Sequence, residues 1–380
     1  LPAYKGVVYG VAEATNTYAL YLAITDEEDP VQLMRTRQGE QVASFRYTLS
    51  ADGSRVAVCV TFMGDSANRV SLYLVALALP GEAQWIDEVT TDARALATMT
   101  LLWSPHANEL LYHAWFYGST GPLPGDPDIP TVVTETPPWM LLTENSVRRT
   151  LSINPSYSEG IWLAADRFLL VFKQDYPESR FDIFDTSGRL LDTHTLMAWS
   201  QPIPAPDGKQ LAFLDDTALP AVKQVHVLEL NTGEVRVVGP GSSTIINRLG
   251  ITMDSDLRWS PDGSWLAWNR ALDDDDWSDG FKVGELYAYE VATTETRLIT
   301  EALGTSDPYH PLSQLTWLPK GNVLNYLVRA DNGFNFTIND LASESTLVVG
   351  VMTEFTCPLL RAWPTNEEVL WNSCGAGVYL

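Results

Sequence analysis

The sequence predicts an all-β chain built from one repeated hairpin, and three observations carry that expectation. The first is the stretch Asp256 to Asn269, where two runs of large apolar residues flank Ser260-Pro-Asp-Gly263. Pro261 fixes φ, the Asp262 side chain bonds nearby backbone, and Gly263 can take a positive φ, which together make a tight hairpin turn. The second is recurrence. The device returns at Tyr47 to Val58, Leu102 to Tyr112 and Ile203 to Phe213, and more loosely at Leu315 to Tyr326, Leu360 to Trp371 and Ile161 to Leu170. The third is that no long stretch has helical periodicity. Turns fall near residues 52, 106, 165, 207, 262, 320 and 366, a spacing of roughly 40 to 60 residues that suits four strands per unit.

Taken in order, Gly6 to Val11, Tyr18 to Ile24 and Val31 to Met34 read as three opening strands. The first full unit runs from about Val42 to Glu88, with a third strand at Val70 to Leu79 and a fourth near Gln84 to Ile86. The second starts at Thr98 and carries an insertion, Gly118 to Pro138, too rich in Pro and Gly for regular pairing. Strands Trp139 to Leu142 and Arg149 to Ile153 complete it. The third unit spans Gly160 to Thr195 and departs most from the turn pattern. The fourth begins near Ala198, its outer strands Val225 to Leu230 and Glu234 to Val238 joined by the short loop Asn231-Thr-Gly233. The fifth starts at Asp256 and the sixth at Leu315, and Cys357 to Leu380 holds one more hairpin. Several strands are apolar on both faces, as sheets buried between neighbouring sheets would be.

Bulk properties narrow the function. The 380 residues can bury a large core, 45% are hydrophobic, and no apolar run approaches a membrane span. A formal charge of −24 repels duplex DNA and anionic membranes, and no Lys/Arg cluster stands out against it, so nucleic-acid binding is excluded. Three cysteines make no disulfide scaffold, and Cys59, inside Val56-Ala-Val-Cys-Val60, reads as a small buried hydrophobe.

With a full match at Trp259 to Ala267 and partial ones at Leu49 to Ala57 and Pro204 to Ala212, the chain resembles the TolB-type, WD-like β-propeller repeat. The resemblance covers most of the chain and implies blades of four antiparallel strands. Six full units and two chain-end pieces give seven blades, with six or eight as the alternatives. All of residues 1–380 would form one domain, with strands in 5–35 and the hairpin in 357–380 sharing a closing blade that leaves no free sheet edge. In such propellers the short first turns lie on one face. The longer loops, here Gly118 to Pro138, Gly239 to Asp254, Ala271 to Phe281 and Thr300 to Pro311, lie on the other, which becomes the expected functional face.

No Gly-x-Ser-x-Gly nucleophile turn and no zinc-type histidine spacing is present among the five histidines. The run Asp273-Asp-Asp-Asp-Trp-Ser-Asp-Gly280 is the conspicuous polar stretch. Asp273, Asp275, Asp276 and Asp279 could supply hard oxygen ligands for Ca²⁺, but Trp277 and Leu286 stand where an EF-hand needs ligands. A solvated acidic loop is the leading reading, a weak Ca²⁺ site the other. Of thirteen tryptophans, Trp103, Trp259, Trp317 and Trp363 recur just before their turns, which points to packing between units. Trp115, Trp139 and Trp277 sit in or beside long loops and are the candidates for contact with a glycan or protein.

The expectation is a non-catalytic secreted, periplasmic or cell-envelope propeller that binds a protein partner or glycan through its long-loop face and needs no cofactor. The alternative is a propeller enzyme of the lactonase or glycan-hydrolase type on that same face.

A disulfide is expected between Cys357 and Cys374. Alignment with the other hairpins centres the last turn between Thr365 and Asn366, so facing residues add to 731, and so do 357 and 374. A bulge at Pro358 or Pro364 would shift that register and leave two unpaired thiols. The bond would imply an oxidising compartment.

Overall fold

A computed structural model describes residues 6–14, 17–24, 29–37, 40–64, 67–78, 82–92, 96–117, 137–154, 156–157, 159–173, 178–198, 202–215, 223–241, 243–246, 251–254, 257–271, 283–304, 315–318, 321–330, 333–352, 359–362, 369–373 and 377–379. Among them are strands and no helix. β1 (Gly6–Ala14), β2 (Thr17–Ile24) and β3 (Val31–Arg35) make the first sheet. Four-stranded antiparallel meanders follow. The second sheet is β4 (Gln41–Leu49), β5 (Arg55–Met63), β6 (Ala67–Ala76) and β7 (Ala83–Asp92). The third is β8 (Leu96–Trp103), β9 (Leu110–Tyr117), β10 (Met140–Leu142) and β11 (Arg148–Thr150). The fourth is β12 (Glu159–Ala164), β13 (Arg167–Lys173), β14 (Ser179–Asp185) and β15 (Leu190–Leu196).

The fifth sheet is β16 (Ile203–Pro204), β17 (Gln210–Leu214), β18 (Lys223–Glu229) and β19 (Glu234–Gly241). A separate hairpin, β20 (Ser243–Ile246) and β21 (Ile251–Asp254), stands where a long irregular loop was expected. The sixth is β22 (Leu257–Trp259), β23 (Trp265–Ala271), β24 (Val283–Glu290) and β25 (Glu295–Gly304), so that residues 300–304, also expected as loop, extend a strand. The seventh is β26 (Thr316–Trp317), β27 (Val323–Ala330), β28 (Gly333–Asp340) and β29 (Ser345–Met352), joined to the sixth by a bridge between Leu303 and Val328. Three strands, β30 (Leu359–Ala362), β31 (Val369–Ser373) and β32 (Gly377–Tyr379), end the chain. The repeated meander is that of an all-β propeller.

The chain divides into two compact units, residues 1–170 with 182–192 and residues 171–181 with 193–380. In the first, β5 is buried on both faces. Val56, Val58, Val60 and Phe62 join Leu20, Leu33 and Met34 of the first sheet, while Ala57 and Cys59 join Leu72, Met99 and Tyr112 toward the third. Each such side chain contributes about 1.5–3 kcal/mol of transfer free energy. Burial pushes the Cys59 thiol up to about 11, so it serves as a packing residue. In the second unit Leu214, Val225 and Val227 pack on Trp259 and Trp268, and Trp265 and Ala267 on Trp317 and Tyr326.

The turns explain the repeat. Ser50 Oγ and Ser54 Oγ both donate to Asp52 Oδ1, at 2.7 and 2.8 Å, and Arg55 N donates to Ser50 Oγ. Ser260, Asp262, Ser264 and Trp265 reproduce this bond for bond. Gly53 and Gly263 hold φ of 66° and 72°, the left-handed region where a Cβ is costly.

Just before these turns the indoles tie each inner strand to the one before it. Nε1–H of Trp103 donates to the Thr48 carbonyl (3.1 Å) and that of Trp162 to Leu102 (2.8 Å) in the first unit. In the second, Trp259 donates to Ile203 (2.9 Å) and Trp317 to Arg258 (2.9 Å).

Candidate functional site

Where the apolar layer between the first and second sheets reaches solvent, a cleft of about 440 Å³ opens, lined in part by Arg35, Arg37, Arg69, Glu40, Glu88 and Trp85. Its first wall is the end of β3. Thr36 is buried there and bonded to Tyr18 three times, its N–H (2.9 Å) and Oγ1–H (3.3 Å) donating to the Tyr18 carbonyl and its Oγ1 accepting from Tyr18 N–H (3.0 Å). This fixes the chain between Arg35 and Arg37, both of which are exposed.

The opposite wall belongs to β5, β6 and β7. The Arg69 guanidinium lies 4.2 Å from the Phe62 ring centroid and pairs with Glu40 and, at 3.4 Å, with Glu88. Glu88 also accepts from Ser71 Oγ (2.7 Å), so Arg69 is held on three sides. Arg37, by contrast, makes no ion pair among the described residues. Among the described residues the cleft sets three arginines beside two glutamates, within a chain of −24.

A β-bulge sets this wall. Leu72 pairs with Asp87, but the next residue, Tyr73, pairs with Trp85, so Ile86 is extra. Trp85 and Glu88 thereby share the cleft face, while Ile86 and Asp87 turn to the other. There a second cavity, of about 250 Å³, is lined by Met99 and Met140 among others. Asp87 closes its polar end, accepting from Tyr112 Oη–H (2.9 Å) and pairing with Arg148. Burial, then the Asp87 charge, raise the Tyr112 hydroxyl far above its usual range.

The structure separates the residues expected from sequence. Trp115 is half-buried, and its Nε1–H donates to Thr100 Oγ1 (2.7 Å). Trp139 corrects its expected place beside a surface loop. It is fully buried and stacked on His113, with ring centroids 4.7 Å apart. The β9–β10 register pairs Met140 with Tyr112 and so sets Trp139 level with His113, inside the sheet packing. His113 Nε2 lies 2.9 Å from the Pro137 carbonyl, and burial lowers its pKa to about 4 against the opposing effect of that bond.

Trp277, Asp273, Asp275, Asp276, Asp279, Cys357 and Cys374 lie outside the described residues. Among the described residues no group of three or more His, Cys, Asp or Glu is placed to hold a metal ion, and no helix is long and apolar enough to cross a membrane.

Two arrangements were missed from sequence. The first is the cleft, where Arg69 of β6 meets Arg35 and Arg37 at the end of β3. Only Arg35-Thr-Arg37 was a local signal. In the second unit Asp215 and Lys223 are buried, and His226 Nε2 lies 3.7 Å from Asp215 Oδ2, its ring stacked on Phe213. Burial lowers the His226 pKa, and Asp215 opposes that.

No protein-family model and no curated protein sequence matches the chain. Solved structures do. A putative dipeptidyl aminopeptidase IV from Bacteroides ovatus has a TM-score of 0.50 and 10% identity over 97% of this chain and 55% of its own, so this chain spans about half of that protein. An oligogalacturonate lyase in complex with manganese scores 0.49 at 15% identity, covering 98% of this chain and 84% of that one. TolB from Acinetobacter baumannii scores 0.38 at 14%, covering 90% and 61%. At these identities the likeness is one of fold, the β-propeller.

Proposed function

We propose that this propeller is a binding module of the extracellular space or cell envelope, built on TolB-type repeats, that captures a protein partner, a glycan or a smaller ligand through an anionic group without transforming it. The observation that carries the reading is the arginine cleft. Its groups are recognition groups: the Arg37 guanidinium, which makes no ion pair among the described residues, a second one pinned by carboxylates, and an exposed indole. The long-loop face expected to serve this role falls largely outside the described residues, so the cleft is the better-supported place for contact.

Labelled protein applied to an array of acidic and neutral peptides and glycans tests it. Binding should favour acidic members and vanish in the Arg35→Glu, Arg37→Glu double variant. Equal binding by both proteins would overturn the reading.

The Asp215–His226 pair supports a second reading, a propeller enzyme, because a buried carboxylate beside an imidazole is a base with its orienting group. A hydrolytic activity abolished by His226→Asn and untouched by Arg37→Gln would favour it.

A further inference from the structure

The cleft offers a ring surface as well as a charge, and together these narrow the ligand. Resting on the binding reading above, we propose that it takes a small monoanionic aromatic molecule, with its carboxylate on Arg37 and its flat ring on the Trp85 indole.

Charge sets the count. Among the described lining residues Arg69 is already matched by Glu40 and Glu88, and Arg37 is the guanidinium that one carboxylate would answer. A second negative charge would face Glu40 and Glu88. Geometry then selects the arginine. Arg69 is engaged by Glu40, Glu88 and the Phe62 ring, so recruiting it means breaking internal bonds. Arg37 makes no ion pair among the described residues, and its planar fork of donors matches a carboxylate two bonds at a time.

Trp85 supplies the second contact. It is 56% exposed although it pairs across the strands with Tyr73, which packs against the core between the first two sheets. A large ring held at its base and bare at its face is a surface on which another flat ring can stack. The volume of about 440 Å³ falls in the range of small-ligand sites and admits a bicyclic ring with a short acid tail.

Isothermal titration of the full chain with indole-3-acetate, indole-3-acetamide and acetate at low salt is the test. The acid should bind roughly tenfold more tightly than either control, which lacks the charge or the ring. Arg37→Gln should reduce it to the amide's affinity and Trp85→Leu to acetate's, while Trp85→Phe keeps part of the preference. Both positions are exposed, and unchanged far-ultraviolet dichroism would confirm that the variants fold. Acetate binding as tightly as indole-3-acetate would overturn the aromatic assignment and leave an anion site. No binding of indole-3-acetate, with acidic array members still captured, would overturn it and leave the binding module. Silence in both experiments would overturn both.

Discussion

Trp85 and Glu88 stand on one face of β7 although they are three positions apart, because Ile86 bulges out of the β6–β7 ladder. A strand's period of two would put them on opposite faces. The bulge therefore absorbs the extra residue, keeping Trp85 and Glu88 on one wall of the cleft and Asp87 toward Tyr112 on the far side.

Deleting Ile86 should leave that wall in place, because Trp85 and Glu88 are then two positions apart and alternation itself keeps them on one face. The Ile86 side chain is buried with Leu72 and Met99, so losing it costs about 2–4 kcal/mol. Ile86→Val keeps the bulge and should cost only about 1 kcal/mol. Urea denaturation measures these costs. Anion binding should persist in both variants, and its loss in the deletion would show that the bulge itself shapes the wall.

This bulge also shows where the sequence stopped being legible. Turn chemistry is local, so Ser260-Pro-Asp-Gly263 announced its hairpin and its strand pairing. The cleft is not local. Arg35, Arg69 and Glu88 come from three strands of two sheets, and the register shift that gathers them has no mark in the run Trp85-Ile-Asp-Glu88. Trp139 was misplaced for the same reason, since β9–β10 pairing and not chain proximity decides its neighbours. Trp162 went unread because its hairpin turns through Ala165-Asp166 without the usual turn residues, yet its indole makes the same bond as Trp103.

The indole ties should be worth more than ordinary aromatic packing. Trp259→Phe keeps a ring but removes the donor to the Ile203 carbonyl, leaving a part-buried acceptor unpaired at a cost of about 1–3 kcal/mol. Trp317→Phe, which removes the donor to the Arg258 carbonyl, should behave alike. The exposed Trp85→Phe should fall within about 0.5 kcal/mol of the wild type. Equal denaturation midpoints for all three would show that the ties carry no stability.

His113 makes stability fall with acid. Its folded pKa, about 4, lies below the 6.5 of a free imidazole, so the unfolded chain takes up the proton first. This contribution is complete above pH 6.5, declines as pH falls toward 4, and is gone below that. It amounts to about 3 kcal/mol for a fully buried ring. Imidazole resonances followed by NMR should give a midpoint near 4 for His113. Denaturation from pH 7 to 4 should be flatter in His113→Phe, which keeps a ring beside Trp139 and cannot titrate. An ordinary midpoint near 6.5 would refute the burial argument.

The closing prediction concerns Cys357 and Cys374. In β30 and β31, Leu359 faces Asn372, Leu360 Trp371, Arg361 Leu370 and Ala362 Val369, and every pair adds to 731. Continued two residues further out, the same sum would join Cys357 to Cys374, and a period of two would put both on one face with Leu359 and Asn372. The prediction is a disulfide between them, the outcome expected if the chain keeps this register through Pro358. A loop of about 16 residues closed this way would add roughly 3 kcal/mol in the chain-entropy model. It would also require an oxidising compartment, the strongest support for the envelope or extracellular setting. Alkylating the unfolded, unreduced protein should modify Cys59 alone, and prior reduction should expose two further thiols by intact mass. Three thiols modified without reduction would exclude the bond. If the bond is present, Cys357→Ser should lower the denaturation midpoint, and Cys374→Ser made in addition should lower it little further, because either change alone opens the loop.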